Sequence, residues 1–165
     1  MRYYLGLGSN IGDREGYLRQ ALEMIGKVEG IAVTAVSSVY ETDPVGGPEQ
    51  REYCNAVAAI ETGLPPWHVL ETMLRIEQSL GRNRDTRWGP RTIDIDILMA
   101  GDIVLKEEGL VIPHPRYRER AFVLIPFAEI APAERDPETG ETIGEIVRGI
   151  DASGVRKTGT FTGYS

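Results

Sequence analysis

The sequence predicts an α+β fold, a mainly antiparallel sheet with helices packed on one side of it. Three observations point there. Stretches with strand and helix periodicity follow one another as strand, helix, strand, strand, helix, strand, the order of a ferredoxin-like sandwich. The 165 residues suit one hydrophobic core, and no linker, repeat or low-complexity tract divides them, so 1–165 reads as a single domain. A composition of 41% apolar and 26% charged residues is that of an ordinary globular chain.

Each element has its own signal. "RYYLGLGS" starts as a short strand and is interrupted at Gly6, Gly8 and Gly12. Asp13 suits the N-cap of a helix to about residue 26, with Leu18, Ala21, Leu22 and Ile25 on one face. "IAVTAVSSVYET" is β-branched and strand-like, "DPVGGPEQRE" is a loop, and "YCNAVAAIET" is a second strand-like run. Pro65–Pro66 open a helix to about 80, with Val69, Met73, Ile76 and Leu80 at helical spacing. An Arg-rich loop leads to a strand at 92–99, and Gly101–Asp102 predicts a hairpin turn into "IVL". A proline-punctuated loop and a short helix follow. Thr142 with Glu145 has capping-box spacing ahead of Ile146, Val147 and Ile150, which predicts a last helix.

Charge narrows the function. A net charge of −7 argues against a general nucleic-acid binder. No uninterrupted apolar run approaches 18 residues and no leader pattern opens the chain, so a cytoplasmic address with no membrane partner is expected. The single cysteine, Cys54, excludes an internal disulfide, and its apolar neighbours suit a small buried residue. Fifteen of the 18 cationic residues are arginines, eight of them between 75 and 120. In 81–91, Arg82, Arg84, Arg87 and Arg91 face only Asp85. Such a run is either a solvated loop or a site for phosphate or carboxylate, which the forked guanidinium grips well.

"RTIDIDIL" carries two aspartates inside an apolar strand. Residues i and i+2 of a strand share a face, so Asp94 and Asp96 lie side by side with Cα atoms about 6–7 Å apart, while Ile93, Ile95 and Ile97 face the other way. Unit charges about 5 Å apart at an effective dielectric near 20 repel by roughly 3 kcal/mol. Either the face is solvated, or a divalent cation sits between the carboxylates. Hard oxygen donors on a rigid element suit Mg2+, which takes one or two carboxylates plus substrate phosphates. Beside an arginine cluster, that pair suits phosphoryl transfer, where catalysis is largely positioning and charge neutralisation. Neither usual nucleotide loop is present. "GLGSNIG" spaces its glycines G-x-G-x-x-x-G, and no G-K-[ST] follows. Of the two histidines, His68 suits a helix surface. His114, held between prolines near Arg116, Arg118 and Arg120, is either structural or a phosphate contact.

Taken together, "GLGSNIGD", "SSVYETDPVGGPEQREYCNAV", "IEQSLGR", "RWGPRTIDIDIL" and "IPHPRYRERAFVLIPFAEIAP" resemble the 6-hydroxymethyl-7,8-dihydropterin pyrophosphokinase family of folate biosynthesis. The segments run in family order from about residue 4 to 132. The resemblance implies transfer of pyrophosphate from ATP, the co-substrate, to the pterin hydroxymethyl oxygen, with release of AMP. It implies two Mg2+ ions on Asp94 and Asp96, and phosphate contacts from Arg82 and Arg91 as charge shifts to the leaving AMP. Glu77, Arg84, Trp88, Ile97, His114 and Arg120 match nucleotide-binding positions. For the pterin it implies stacking by Tyr53 and Phe122, an amide from Asn55, edge contacts from Thr42, Pro44 and Val45, and proximity to Trp88 and Asp94. Metal coordination, rather than a dedicated base, is expected to activate the hydroxyl. A monomer is expected.

Some positions depart from the family. Asp85 stands where a lysine is common, the stretch between Arg82 and Trp88 is one residue short, and Gly109 and Val111 replace an Arg and a Thr. The tail "GIDASGVRKTGTFTGYS" matches no motif. The loop "DPVGGPEQRE" and residues 81–91 are expected to close over the site when both substrates bind. Two other readings compete. A ferredoxin-like module that binds RNA or a small ligand without chemistry needs a basic face, which the net charge opposes. A Mg2+ kinase of another substrate would yield ADP rather than AMP.

Overall fold

A computed structural model describes residues 1–42, 53–81 and 92–161. Its main sheet has six antiparallel strands: β1 (Arg2–Ser9), β2 (Ile31–Val36), β3 (Val39–Thr42), β4 (Tyr53–Thr62), β5 (Asp94–Ala100) and β8 (Val155–Gly159). Strand β4 lies against β1 along one edge and against β2 and β3, in tandem, along the other. Strands β5 and β8 form the outer edges. A separate hairpin joins β6 (Leu105–Glu107) to β7 (Leu110–Ile112).

The helices are α1 (Arg14–Gly26), α2 (Pro66–Ser79), α3 (Ala121–Ile130) and α4 (Ile143–Arg148). Asp13 caps α1, its carboxylate accepting from Gly16 N at 3.0 Å. Thr142 and Glu145 form the capping box of α4. Leu18, Leu22 and Ile25 of α1 are fully buried, and each contributes about 1.5–3 kcal/mol by leaving water. They pack with Val69, Met73 and Ile76 of α2 on one face of the sheet, against Leu5, Leu7, Ile93, Ile95 and Ile97.

The other face is covered too, which differs from the one-sided packing expected. Tyr4, Val57, Ala59, Leu98 and Met99 pack with Val123, Leu124 and Phe127 of α3 and Ile143 of α4. The near-continuous apolar run of β4 is the physical reason, because a strand buried on both faces does not alternate. The strand expected across 31–42 is broken at Ser37–Ser38. There Ser37 Oγ accepts from Val57 N at 2.9 Å, and Ser38 donates to the Glu129 carboxylate of α3 at 2.9 to 3.1 Å.

The expected hairpin after β5 also moves. Gly101–Asp102 does turn the chain, with Ile103 N on Ala100 O at 3.0 Å. Residues 105–107 then pair with β7 rather than β5, around a turn whose Gly109 takes φ +89°. The unmatched tail supplies β8, antiparallel to β3. No helix among the described residues is long and apolar enough to cross a membrane.

Candidate active site

The face that carries α3 and α4 is left open at one end, where the chain builds a cavity of about 400 Å³. Strand registers explain its floor. Gly8 of β1 lies between Asn55 of β4 and Asp94 of β5, and Gly6 lies between Val57 and Asp96. Residues opposite one another in a ladder share a face, so these form two rows across the sheet. The central position in each row has no side chain, and the floor dips there into a trough. A Cβ on Gly8 would stand 2.9 Å from Asn55 Oδ1, and one on Gly6 would stand 3.2 Å from a Leu98 methyl. The paired glycines, read from sequence as a strand interruption, are thus part of the site. Their i, i+2 spacing within a strand was the available signal for a close approach.

On the β3–β4 side the Asn55 amide donates through Nδ2 to Thr42 Oγ1 at 3.0 Å. That bond turns Oδ1 toward the trough as an acceptor and leaves the Thr42 hydroxyl hydrogen to donate elsewhere. Tyr53, 37% exposed, stands at the mouth, and Phe122 and Val123 at the start of α3 line the facing wall. Arg120 lies over the Phe122 ring at 5.7 Å from its centroid, a cation–π contact that holds both side chains in place.

On the β5 side, Asp94 and Asp96 line the cavity together, as the strand period requires. Leu98 is on the same face, and a register shift opposite Tyr4–Leu5 brings Met99 round to it as well. His114 N donates to Leu98 O at 2.9 Å, tying the next segment to the strand. Its ring accepts at Nδ1 from Arg116 N at 3.1 Å, so the neutral imidazole carries its proton on Nε2. Burial lowers the His114 pKa, with Arg120 and Arg116 adding to the effect and Asp96 opposing it. The ring is therefore mainly neutral at pH 7.

Eight expected site residues, Thr42, Tyr53, Asn55, Asp94, Asp96, His114, Arg120 and Phe122, thus meet in one cavity. Two others are placed differently. Ile97 is 5% exposed and packs with α1 and α2 on the opposite face, because it alternates with Asp96. Its side chain is a core residue and only its main chain can reach a ligand. Glu77 does not line the cavity. It is 3% exposed and its Oε2 accepts from Ile95 N at 2.7 Å, satisfying an amide on the outer edge of β5 between the two aspartates. Pro44, Val45, Arg82, Arg84, Arg87, Trp88 and Arg91 lie outside the described residues, as do 43–52 and all of 81–91 except Gly81, the two segments expected to close.

The donor set suits a hard divalent cation. Asp94 and Asp96 present carboxylates from one face of a strand whose register is held by β1. Among the described residues no third His, Cys, Asp or Glu joins them in a metal-binding group. A cation held by these two carboxylates would take its remaining ligands from water or a bound phosphate.

A family model described as 7,8-dihydro-6-hydroxymethylpterin-pyrophosphokinase matches residues 4–132. A Bacillus subtilis 2-amino-4-hydroxy-6-hydroxymethyldihydropteridine pyrophosphokinase is 49% identical over 146 residues, 88% of this chain and 87% of that protein. A protein of the same name from Methylorubrum extorquens is 48% identical over 156 residues, 94% of this chain and 98% of its own length. Among solved structures, wild-type Plasmodium falciparum HPPK-DHPS has a TM-score of 0.67 at 16% identity. It covers 89% of this chain, which spans 43% of that longer chain, and supports the fold alone. The chain belongs to the 7,8-dihydro-6-hydroxymethylpterin-pyrophosphokinase family.

Proposed function

We infer that this chain catalyses the family reaction, transfer of pyrophosphate from ATP to 6-hydroxymethyl-7,8-dihydropterin in folate biosynthesis. The observation that carries the reading is the division of one cavity into two chemistries. One half has aromatic walls with an amide and a hydroxyl between them. The other has two carboxylates, an imidazole and a guanidinium. The first suits a flat heterocycle rich in donors and acceptors, and the second suits a polyphosphate and its cations.

In this reading Tyr53 and Phe122 stack on the pterin, which adds roughly 0.5–1.5 kcal/mol per aromatic pair beyond buried area. Asn55 Oδ1 accepts from a ring N–H, and the Thr42 hydroxyl donates to a ring acceptor. The slot thereby orients the hydroxymethyl arm toward the β5 side. His114 Nε2–H and Arg120 donate to phosphate oxygens, and Ile97 offers main-chain groups on the outer edge of β5. Asp94 and Asp96 would hold two Mg2+ ions, which neutralise phosphate charge when bound. Arg82, Arg84, Trp88 and Arg91 complete the phosphate side, and Pro44 and Val45 the pterin edge. The hydroxymethyl oxygen forms a bond to the β-phosphorus, the bond from that phosphorus to the AMP oxygen breaks, and the hydroxyl proton is released.

The reading extends to a monomeric, cytoplasmic enzyme of one domain. The buried free thiol of Cys54 suits a reducing compartment, and the pairing of β8 with β3 brings the C-terminal segment into the same sheet. The test is to incubate the protein with ATP, Mg2+ and 6-hydroxymethyl-7,8-dihydropterin and to identify the nucleotide formed. AMP is expected. ADP would indicate a γ-phosphoryl kinase, and no turnover would favour a binding module.

A further inference from the structure

We propose that Asp136, which lies outside the cavity, is a positioning residue for its phosphate-binding half. It acts through the bridge from His114 to Arg120.

Both ends of that bridge line the cavity and its middle does not. Tyr117 is fully buried, and its hydroxyl donates to Asp136 Oδ2 in a very short hydrogen bond. Arg118 Nε donates to the same oxygen at 2.6 Å. The other oxygen, Oδ1, accepts from Glu138 N at 2.7 Å and from Thr139 N at 3.2 Å. The carboxylate is 0% exposed, and four donors converge on it. Its own turn is held as well, with Asp136 N on Glu141 O and Gly140 N on Asp136 O, each at 2.8 Å. Glu138 reinforces the anchor, receiving Arg118 at 3.1 Å and Lys106 of β6 at 3.0 Å.

From that anchor, main-chain bonds run to both ends. Arg120 N donates to Tyr117 O at 3.2 Å, and Glu119 N to Arg116 O at 3.1 Å. Arg116 N fixes the His114 ring through Nδ1, which directs Nε2–H to the ligand. Arg118 is thereby committed to the anchor, while Arg120 faces the cavity. Displacements of about 1 Å at a phosphate ligand are enough to cost up to about 100-fold in rate. A buried, fully paired carboxylate is a stiff way to prevent them.

The proposal rests on the reading of the cavity given above, and AMP formation by the wild-type protein tests that reading separately. The variants are D136N, which keeps the shape but removes the charge, and Y117F, which removes one donor. ATP affinity and pterin affinity are measured by calorimetry well below each variant's Tm. The 15N shifts of the His114 ring report its tautomer. D136N is expected to weaken ATP binding roughly tenfold, to leave pterin binding within about twofold, and to mix the His114 tautomers. Y117F should do the same to a smaller extent, and it decides the matter if D136N does not fold. Equal losses for both ligands, or a lower Tm with ATP affinity and tautomer unchanged, would overturn the proposal.

Discussion

Replacing Gly8 by alanine tests the trough directly. The added Cβ would stand 2.9 Å from Asn55 Oδ1, while its other neighbours, a Tyr53 ring carbon and Cys54 O, lie at 3.8 and 3.9 Å. Only the Asn55 contact is too close, so the amide must turn. Turning it breaks the 3.0 Å bond from Nδ2 to Thr42, a net loss of about 0.5–1.5 kcal/mol. It also withdraws the acceptor from the pterin, leaving a buried ring N–H unsatisfied at about 1–3 kcal/mol. The first loss is present with or without ligand and lowers the stability of the fold; the second weakens pterin binding by about 1–3 kcal/mol, roughly 5- to 150-fold. The assay is calorimetric titration of pterin onto protein held with a non-hydrolysable ATP analogue, alongside titration of the nucleotide alone. Nucleotide affinity should hold far better, because the one close contact of the added Cβ is with Asn55, on the side of the cavity away from β5. Because the penalty passes through Asn55, G8A in an N55S background should cost far less than in the wild type. Unchanged pterin affinity in G8A, or full additivity with N55S, would refute the reasoning.

Other outcomes follow from the same geometry. D96A should abolish turnover yet shift unfolding free energy by no more than about 0.5 kcal/mol, since the side chain is exposed; AMP assay and chemical denaturation check the two parts. The folded-state pKa of Asp136 is lowered, because although burial raises it, the bonds from Arg118, Tyr117 and two amides outweigh that. Its stabilisation is therefore present above the unfolded carboxylate value of about 3.9 and is lost as pH falls through the lower folded value. Tm measured from pH 5 to pH 2 should fall less steeply in D136N than in wild type. L22A, which empties a fully buried site on α1, should lower stability by about 2–5 kcal/mol with substrate affinities retained.

What the sequence disclosed depended on whether a physical requirement leaves a pattern in the chain. Asp94 and Asp96 were legible because period-two alternation with isoleucine is hard to satisfy any other way. The Asp13 cap, the Thr142–Glu145 capping box and the helix faces were legible because they are local. The Gly6–Gly8 trough was read instead as a strand interruption, because its i, i+2 spacing becomes informative only once both glycines are known to lie inside β1. Strand β8 was missed because "VRKTG" is an outer-edge strand with three exposed residues between half-buried ends, and so has no alternation to see. The second helical layer was hidden in plain composition. "YCNAVAAI" is apolar at consecutive positions, which already requires cover on both faces. Tyr53 and Asn55 come from β4 and Phe122 from the start of α3, and only the family resemblance joined the two segments before the fold did.

The two halves of the cavity are held by different means, and this has a consequence for how they respond to change. The proposed pterin half is built on the interior of the sheet, with Gly8 bonded between two strands and Asn55 on the strand that borders three others. The carboxylates sit on an outer strand, but Glu77 steadies the amide between them from α2. His114 and Arg120, the proposed phosphate donors, belong to an irregular bridge that is tied to Leu98 at one end and to Asp136 in the middle. Perturbations in the 134–142 turn should therefore reach ATP and leave the pterin alone, while perturbations along β4 should do the reverse. A single rigid block would couple the two. On the proposed function, the separation of a sheet-borne slot from an anchored bridge would let one cavity hold a flat ring still while gripping a polyphosphate beside it.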